Sequence, residues 1–158
     1  MEYDPNALEW LFQTFERMHH NCIKSEFARR GLSEASHPLI LMALKYEVSN
    51  MAASQKDIAQ MLGISPPTVA ISLKRMEKAG LVCKITDEDD LRRKLVKITE
   101  KGLRLLDECE NAFSEIDRNI FKGFSDEERE QLKRFYIRMI HNLESMGAQL
   151  PAQLKWRG

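Results

Sequence analysis

Cysteine is scarce in this sequence: Cys22, Cys83 and Cys109 are three, an odd number, and far apart. That excludes a disulfide framework and a paired CxxC metal ligand set. Long hydrophobic runs are missing too. The longest, residues 39–44, has six residues, where a bilayer span needs about 20. Seven Gly and five Pro are too few for a linker or collagenous chain, and 43% hydrophobic content is too high for disorder. Glu2 and Asp4 stand where a secretory signal would carry basic residues, so a cytoplasmic protein without membrane attachment is expected. Charge of one sign is not in excess, with 24 basic against 24 acidic residues. What is present is a globular chain of 158 residues, enough for one domain or two fused subdomains burying roughly 68–70% of the unfolded surface.

The neutral total hides an uneven distribution. Residues 1–53 sum to −2, 54–99 to +3, 100–130 to −5 and 131–158 to +4. A basic middle between acidic flanks suits a nucleic-acid reader carried on solvated helical arms, and also suits ordinary imbalance along a globular chain.

Apolar periodicity predicts six helices. Residues 6–30 carry Leu8, Leu11, Phe12, Phe15, Met18, Cys22, Ile23 and Phe27 at three- and four-residue steps, and Gly31 follows as a left-handed stop. A helix of about 25 residues is long for a small globule, so part of its stripe must pack outside its own subdomain. Ser36 or His37 is expected to cap a second helix with Pro38 in its first turn, running to about Glu47. Ser54 and Asp57 read as a capping box for a third, which Gly63 ends. Ser65, Pro66 and Pro67 open a fourth running to Ala79, with Val69, Leu73 and Met76 inward. Residues 81–86 and 94–99 then alternate as two strands around an acidic turn. From Thr99 a fifth helix bears Leu103, Leu106, Cys109, Phe113, Ile116 and Ile120 and stops at Gly123. Ser125 and Glu128 form a capping box for the last, with Leu132, Phe135, Tyr136, Met139, Ile140 and Leu143 along it. Residues 151–158 read as a frayed tail.

Helix, helix, tight Gly-containing turn, helix and hairpin is the order of a winged helix-turn-helix, and a plain three-helix bundle with a surface hairpin shows the same periodicity. The first reading makes the helix after Gly63 a major-groove element. Its candidate contacts are Ser65, Pro67, Thr68, Ile71, Lys74 and Arg75, with Asp90, Arg92, Arg93 and Lys94 on the hairpin. The fold class is thus mainly α with a small β-hairpin wing, in three units: residues 1–35, 36–99 and 100–158.

The strings Lys56-Asp57-Ile58-Ala59, Leu62-Gly63-Ile64-Ser65, Thr68-Val69, Arg75 to Val82, and Asp90 to Thr99 with Gly102 resemble the MarR family of transcriptional regulators. The wing pattern Asp-x-Arg, three residues, then Val-x-Ile-Thr-x-x-Gly is the most specific of them, and the flanking helices agree in order and length. The resemblance implies a homodimer held by the outer helices, bound to a pseudo-palindromic operator in double-stranded DNA. It also implies that Arg92 reaches the minor groove and that Asp90 orients an Arg, while Asp87, Glu88 and Asp89 read as a solvated turn. Where relatives carry a polar pair after Thr-Val, this sequence has Ala70-Ile71, which leaves thymine-methyl contact or DNA shape as the means of reading. Family habit implies repression relieved by a small-molecule effector, here an aromatic or phenolic one. Phe12, Phe15, Met18, His37, Met42 and Tyr46 are its candidate wall, with plain core as the other reading of the same stripes.

No cofactor, metal site or catalytic constellation is expected. His19, His20, His37 and His141 read as polar helix-surface residues, since the fifth helix offers only Glu108 and Cys109 toward a zinc site. Cys22 with His19 lacks an orienting group and oxyanion donors. Cys22 could instead serve a redox-sensing regulator, while Cys83 and Cys109 read as core. A winged-helix protein-interaction module is the alternative from another class.

Overall fold

A computed structural model describes residue 4, residues 7–35 and residues 37–148. Among these residues, six α-helices and a three-stranded antiparallel sheet follow in the order α1 (Leu8–Arg29), α2 (Pro38–Tyr46), β1 (Ala52–Ala53), α3 (Gln55–Leu62), α4 (Pro66–Lys78), β2 (Val82–Thr86), β3 (Lys94–Ile98), α5 (Glu100–Ile120) and α6 (Asp126–Ser145). All six expected helices are present. The Ser36 cap and the tail lie outside the described residues, and His37 sits at the N-cap of α2 without a capping side-chain bond.

Local chemistry explains the boundaries. The Ser54 hydroxyl accepts from the Asp57 N–H at 3.2 Å while the Asp57 carboxylate accepts from the Ser54 N–H at 3.4 Å, closing the box that starts α3. Gly63 then takes φ 63°, a left-handed stop open to glycine without a Cβ penalty. Ser65 caps α4, Thr99 caps α5, and Ser125 with Glu128 completes the box of α6.

The sheet is larger than a hairpin. β2 pairs with β3 from Val82↔Ile98 to Thr86↔Lys94, and β1 adds Ala52↔Lys97 and Ala53↔Val96 on the far side of β3. Two alanines make too short a run to show an alternating pattern. A second departure concerns Cys83, expected in the core. It lies on the outward face of β2 and is exposed, while Val82 beside it is buried, because successive strand residues point to opposite faces. Cys109 is buried as expected; burial, with Glu110 and Glu108 nearby, raises its thiol to about 11.

The core gathers Ile40, Leu41 and Leu44 of α2, Ile58 of α3, Val69 and Met76 of α4, Leu81, and Leu106 and Cys109 of α5, all essentially sealed from solvent. α5 joins this core directly. Thr99 donates its N–H to the Leu81 carbonyl at 3.0 Å and its hydroxyl to the Gly80 carbonyl at 2.7 Å. Gly102 lies so close that a Cβ there would stand 2.1 Å from the Leu81 oxygen. The Lys45 ammonium pairs with Asp107 at 3.0 Å and Glu110 at 3.3 Å, and the Tyr46 hydroxyl donates to Glu110 at 2.7 Å.

The long outer helices are covered unevenly. α1 buries only Phe27, against Phe113 of α5, and α6 fully buries no side chain. Leu8, Leu11, Phe12, Phe15 and Met18 of α1 and Phe135, Met139 and Leu143 of α6 are exposed. Near the C-terminal end of α1, Glu26 pairs with Arg29 and Arg30, and Arg30 also reaches Glu115 of α5. The hydrogen bonds from the two arginines hold the Glu26 carboxyl down at about 2.

Candidate nucleic-acid interface

α4 presents two faces set by its 3.6-residue period. Val69, Ser72, Leu73 and Met76 are buried, whereas Pro67, Thr68, Ile71, Lys74, Arg75 and Lys78 are exposed. At its start the Ser65 and Thr68 hydroxyls bond each other at 2.8 Å, and Ser65 Oγ accepts from the Thr68 N–H at 3.4 Å. Glu77 pairs with Lys84 of β2 at 3.0 Å. The outward face is therefore apolar near its N-terminus and cationic further along.

The loop between β2 and β3 is ordered by its own acids. Asp90 accepts the Arg92 N–H on its side chain at 3.0 Å and the Arg93 N–H on its carbonyl at 2.8 Å. Asp87 accepts the Asp89 N–H at 3.0 Å. These are short side-chain turns that shape a loop without glycine.

The three basic residues at this loop have different surroundings. Arg93 forms an ion pair with Asp57, the N3 residue of α3, and its guanidinium stands 3.7 Å from Asp87. The Ser54 hydroxyl and the nearby Arg93 charge lower the Asp57 carboxyl below its usual range. Lys94 donates to the Thr86 hydroxyl at 2.7 Å across the strand pair. Arg92 is exposed, and among the described residues its guanidinium has no ion-pair partner. Asp90 thus positions Arg92 through the backbone. The acidic turn needs a correction: Asp87 is not simply solvated but sits half-buried against Arg93. The Asp57–Arg93 contact spans 36 positions, and neither residue's local pattern announces it.

The candidate effector residues do not converge in the same way. Phe15 and Met18 line a cleft of about 660 Å³ with Cys22, Arg29, Ile116 and Ile120. Phe12 lines a separate one along α1 with Arg17 and His20. Met42, Tyr46 and His37 border neither of these. Met42 is packed against the core, and the Tyr46 hydroxyl is turned to Glu110. His37 is half-buried rather than on the helix surface, its Nδ1 shielded from solvent, and burial lowers its pKa below the usual 6.5.

The model of the ArnR1-like winged-helix domain family matches residues 33–116, which hold α2 to most of α5. The chain belongs to the ArnR1-like winged-helix family. Its fold is shared with solved regulators over nearly their whole length. A point mutant of MepR from S. aureus is 25% identical with TM-score 0.70, covering 87% of this chain and 98% of that one. The S. aureus MepR–DNA complex is 23% identical with TM-score 0.70, covering 89% and 99%. CouR of Rhodococcus jostii RHA1, bound to p-coumaroyl-CoA, is 20% identical with TM-score 0.66, covering 86% and 93%. These neighbours are MarR-family regulators, so the resemblance seen in the wing motif is borne out. What this ArnR1-like winged-helix chain shares with these solved proteins is the fold, a helical frame with a small antiparallel wing. No helix among its described residues is long and apolar enough to cross a membrane.

Proposed function

We propose that the protein is a sequence-specific regulator that binds double-stranded DNA as a homodimer and represses until a small aromatic or phenolic ligand releases it. The observation that carries DNA binding is the pairing of an exposed, carboxylate-poor α4 face with a loop tip whose Arg92 has no ion-pair partner among the described residues. On this reading Ser65, Pro67, Thr68, Ile71, Lys74 and Arg75 face the major groove and Arg92 the adjacent minor groove. Asp90, Arg93 and Lys94 hold the wing that carries Arg92. The MepR–DNA complex supports the DNA partner. The exposed apolar stripes of α1 and α6 support the dimer, since large uncovered apolar patches mark interaction surfaces. Residues 1–35 and 100–158 would then be dimerisation arms around a DNA-binding unit of residues 36–99.

Selection of bound duplexes from a random pool tests the reading directly. Enrichment of an imperfect palindrome is the expected result, and a pool that never enriches would refute it. CouR with p-coumaroyl-CoA supports an aromatic effector, tested by DNA release with a panel of phenolic acids. Cys22 favours a second signal: its thiol is exposed and borders the α1–α5 cleft. Peroxide-driven release that disappears in Cys22→Ser while ligand-driven release persists would establish it.

A further inference from the structure

We propose that α4 reads its operator through the 5-methyl groups of pyrimidines, with Ile71 as the side chain that meets them. The inference rests on the DNA-binding reading above and specifies its chemistry. Pro66 to Leu73, the first two turns of α4, contain no Asn, Gln, Arg, Lys, Asp or Glu. Those are the side chains that make the bidentate or charge-assisted pairs with base edges in the major groove, where Ser and Thr make only single bonds. The polar groups that do occur there are largely engaged, with one hydroxyl hydrogen of the Ser65–Thr68 pair left over. The Ser65 and Thr68 hydroxyls bond each other at 2.8 Å, Ser72 is buried, and Pro66 and Pro67 have no N–H.

Apart from the Thr68 hydroxyl, the side chains facing outward over these two turns are apolar. Ile71 is 56% exposed, Pro67 lies one turn before it, and the Thr68 methyl is beside them. The thymine 5-methyl is the apolar group on the major-groove edges. Charge complementarity identifies the occupant as nucleic acid. Lys74, Arg75 and Lys78 flank the patch, no carboxylate occurs from Pro66 to Met76, and Glu77 is already paired with Lys84. Cations around an apolar centre match phosphates at the groove's rim and methyl groups on its floor.

The experiment uses the full chain and a duplex enriched from a random pool, resynthesised with deoxyuridine replacing thymidine at one position at a time. Fluorescence anisotropy should show a loss of about fourfold at one or two positions per half-site, equivalent to roughly 0.8 kcal/mol for one buried methyl. In Ile71→Ala the same uracil substitutions should become neutral, whereas Ile71→Val, which keeps branched methyls, should retain the penalty. Ile71 is largely exposed, so both variants should keep the wild-type circular dichroism spectrum. A duplex that binds tightly yet ignores uracil, or a penalty unchanged in Ile71→Ala, overturns the inference and leaves DNA binding standing. Failure of any duplex to enrich overturns both, and a protein ligand for α4 then becomes the reading to pursue.

Discussion

Arg92 and Arg93 are adjacent in sequence and differ completely in surroundings. Arg93 is spent on Asp57 and Asp87 of its own chain at the surface, while Arg92 is offered outward by the Asp90 turn. Arg92→Ala should therefore weaken operator binding by about 1–3 kcal/mol, and Lys78→Ala, at the far end of α4, by clearly less. Equal losses in anisotropy would refute the wing assignment. Arg93→Ala should weaken binding by another route, through a loosened wing. Hydrogen exchange of the wing amides should quicken in Arg93→Ala and stay unchanged in Arg92→Ala. The sequence showed the cluster of positive charge but not this division of labour, because the deciding carboxylate lies 36 positions away. Gly102 makes a complementary case. It was legible as part of a motif, yet its physical reason is a contact: a Cβ would stand 2.1 Å from the Leu81 oxygen and 2.8 Å from Ile98 Cγ1. Backbone oxygen cannot step aside as a side chain can, so Gly102→Ala should destabilise by roughly 1–3 kcal/mol or more, as overpacking does. Chemical denaturation measures it.

At the scale of elements, helices were legible and the small sheet was only half so. Caps and apolar steps act within four residues, so Ser54, Ser65, Thr99 and Ser125 marked their helix starts correctly. β1 escaped because pairing with β3 stabilises it, and two alanines carry no local signature of that. Cys83 was misplaced for a related reason: a strand's facing depends on what covers each side. The end of α1 is where pH should act. Glu26, held at about 2 against an ordinary 4.5, favours the folded state while ionised. That contribution is complete above 4.5 and is lost as pH falls toward 2. The denaturation midpoint should drop across this window, and Glu26→Gln should flatten the drop while lowering stability at neutral pH. An unchanged acid profile in Glu26→Gln would assign the window to other carboxylates, Asp57 first.

For the whole molecule, the proposed two-fold dimer would cover the exposed stripes of α1 and α6 with the same stripes of a second copy. Deleting residues 1–30 should yield aggregation or a monomer without specific DNA binding, as analytical ultracentrifugation and anisotropy would show. A well-behaved monomer that still binds an operator would refute the dimer. The intact protein should footprint two half-sites about one helical turn apart, roughly 34–36 Å, with affinity falling steeply as salt rises. One half-length footprint, or indifference to salt, would count against it.

The seam between β3 and α5 has a mechanical meaning. Thr99 alone separates the strand from the helix, and its bonds to Leu81 and Gly80, with Gly102 wedged against Leu81, leave no slack there. Wing and arm are in effect a crank and its shaft. α5, with 21 residues, is about 31 Å long at 1.5 Å per residue. Tilting such a shaft by about 10° sweeps its end through about 5 Å, close to one helical pitch. In the homodimer proposed above, a ligand, an oxidised thiol or a repacked interface that shifts the distant end of α5 would be geared to the spacing of the two wings through this tight seam.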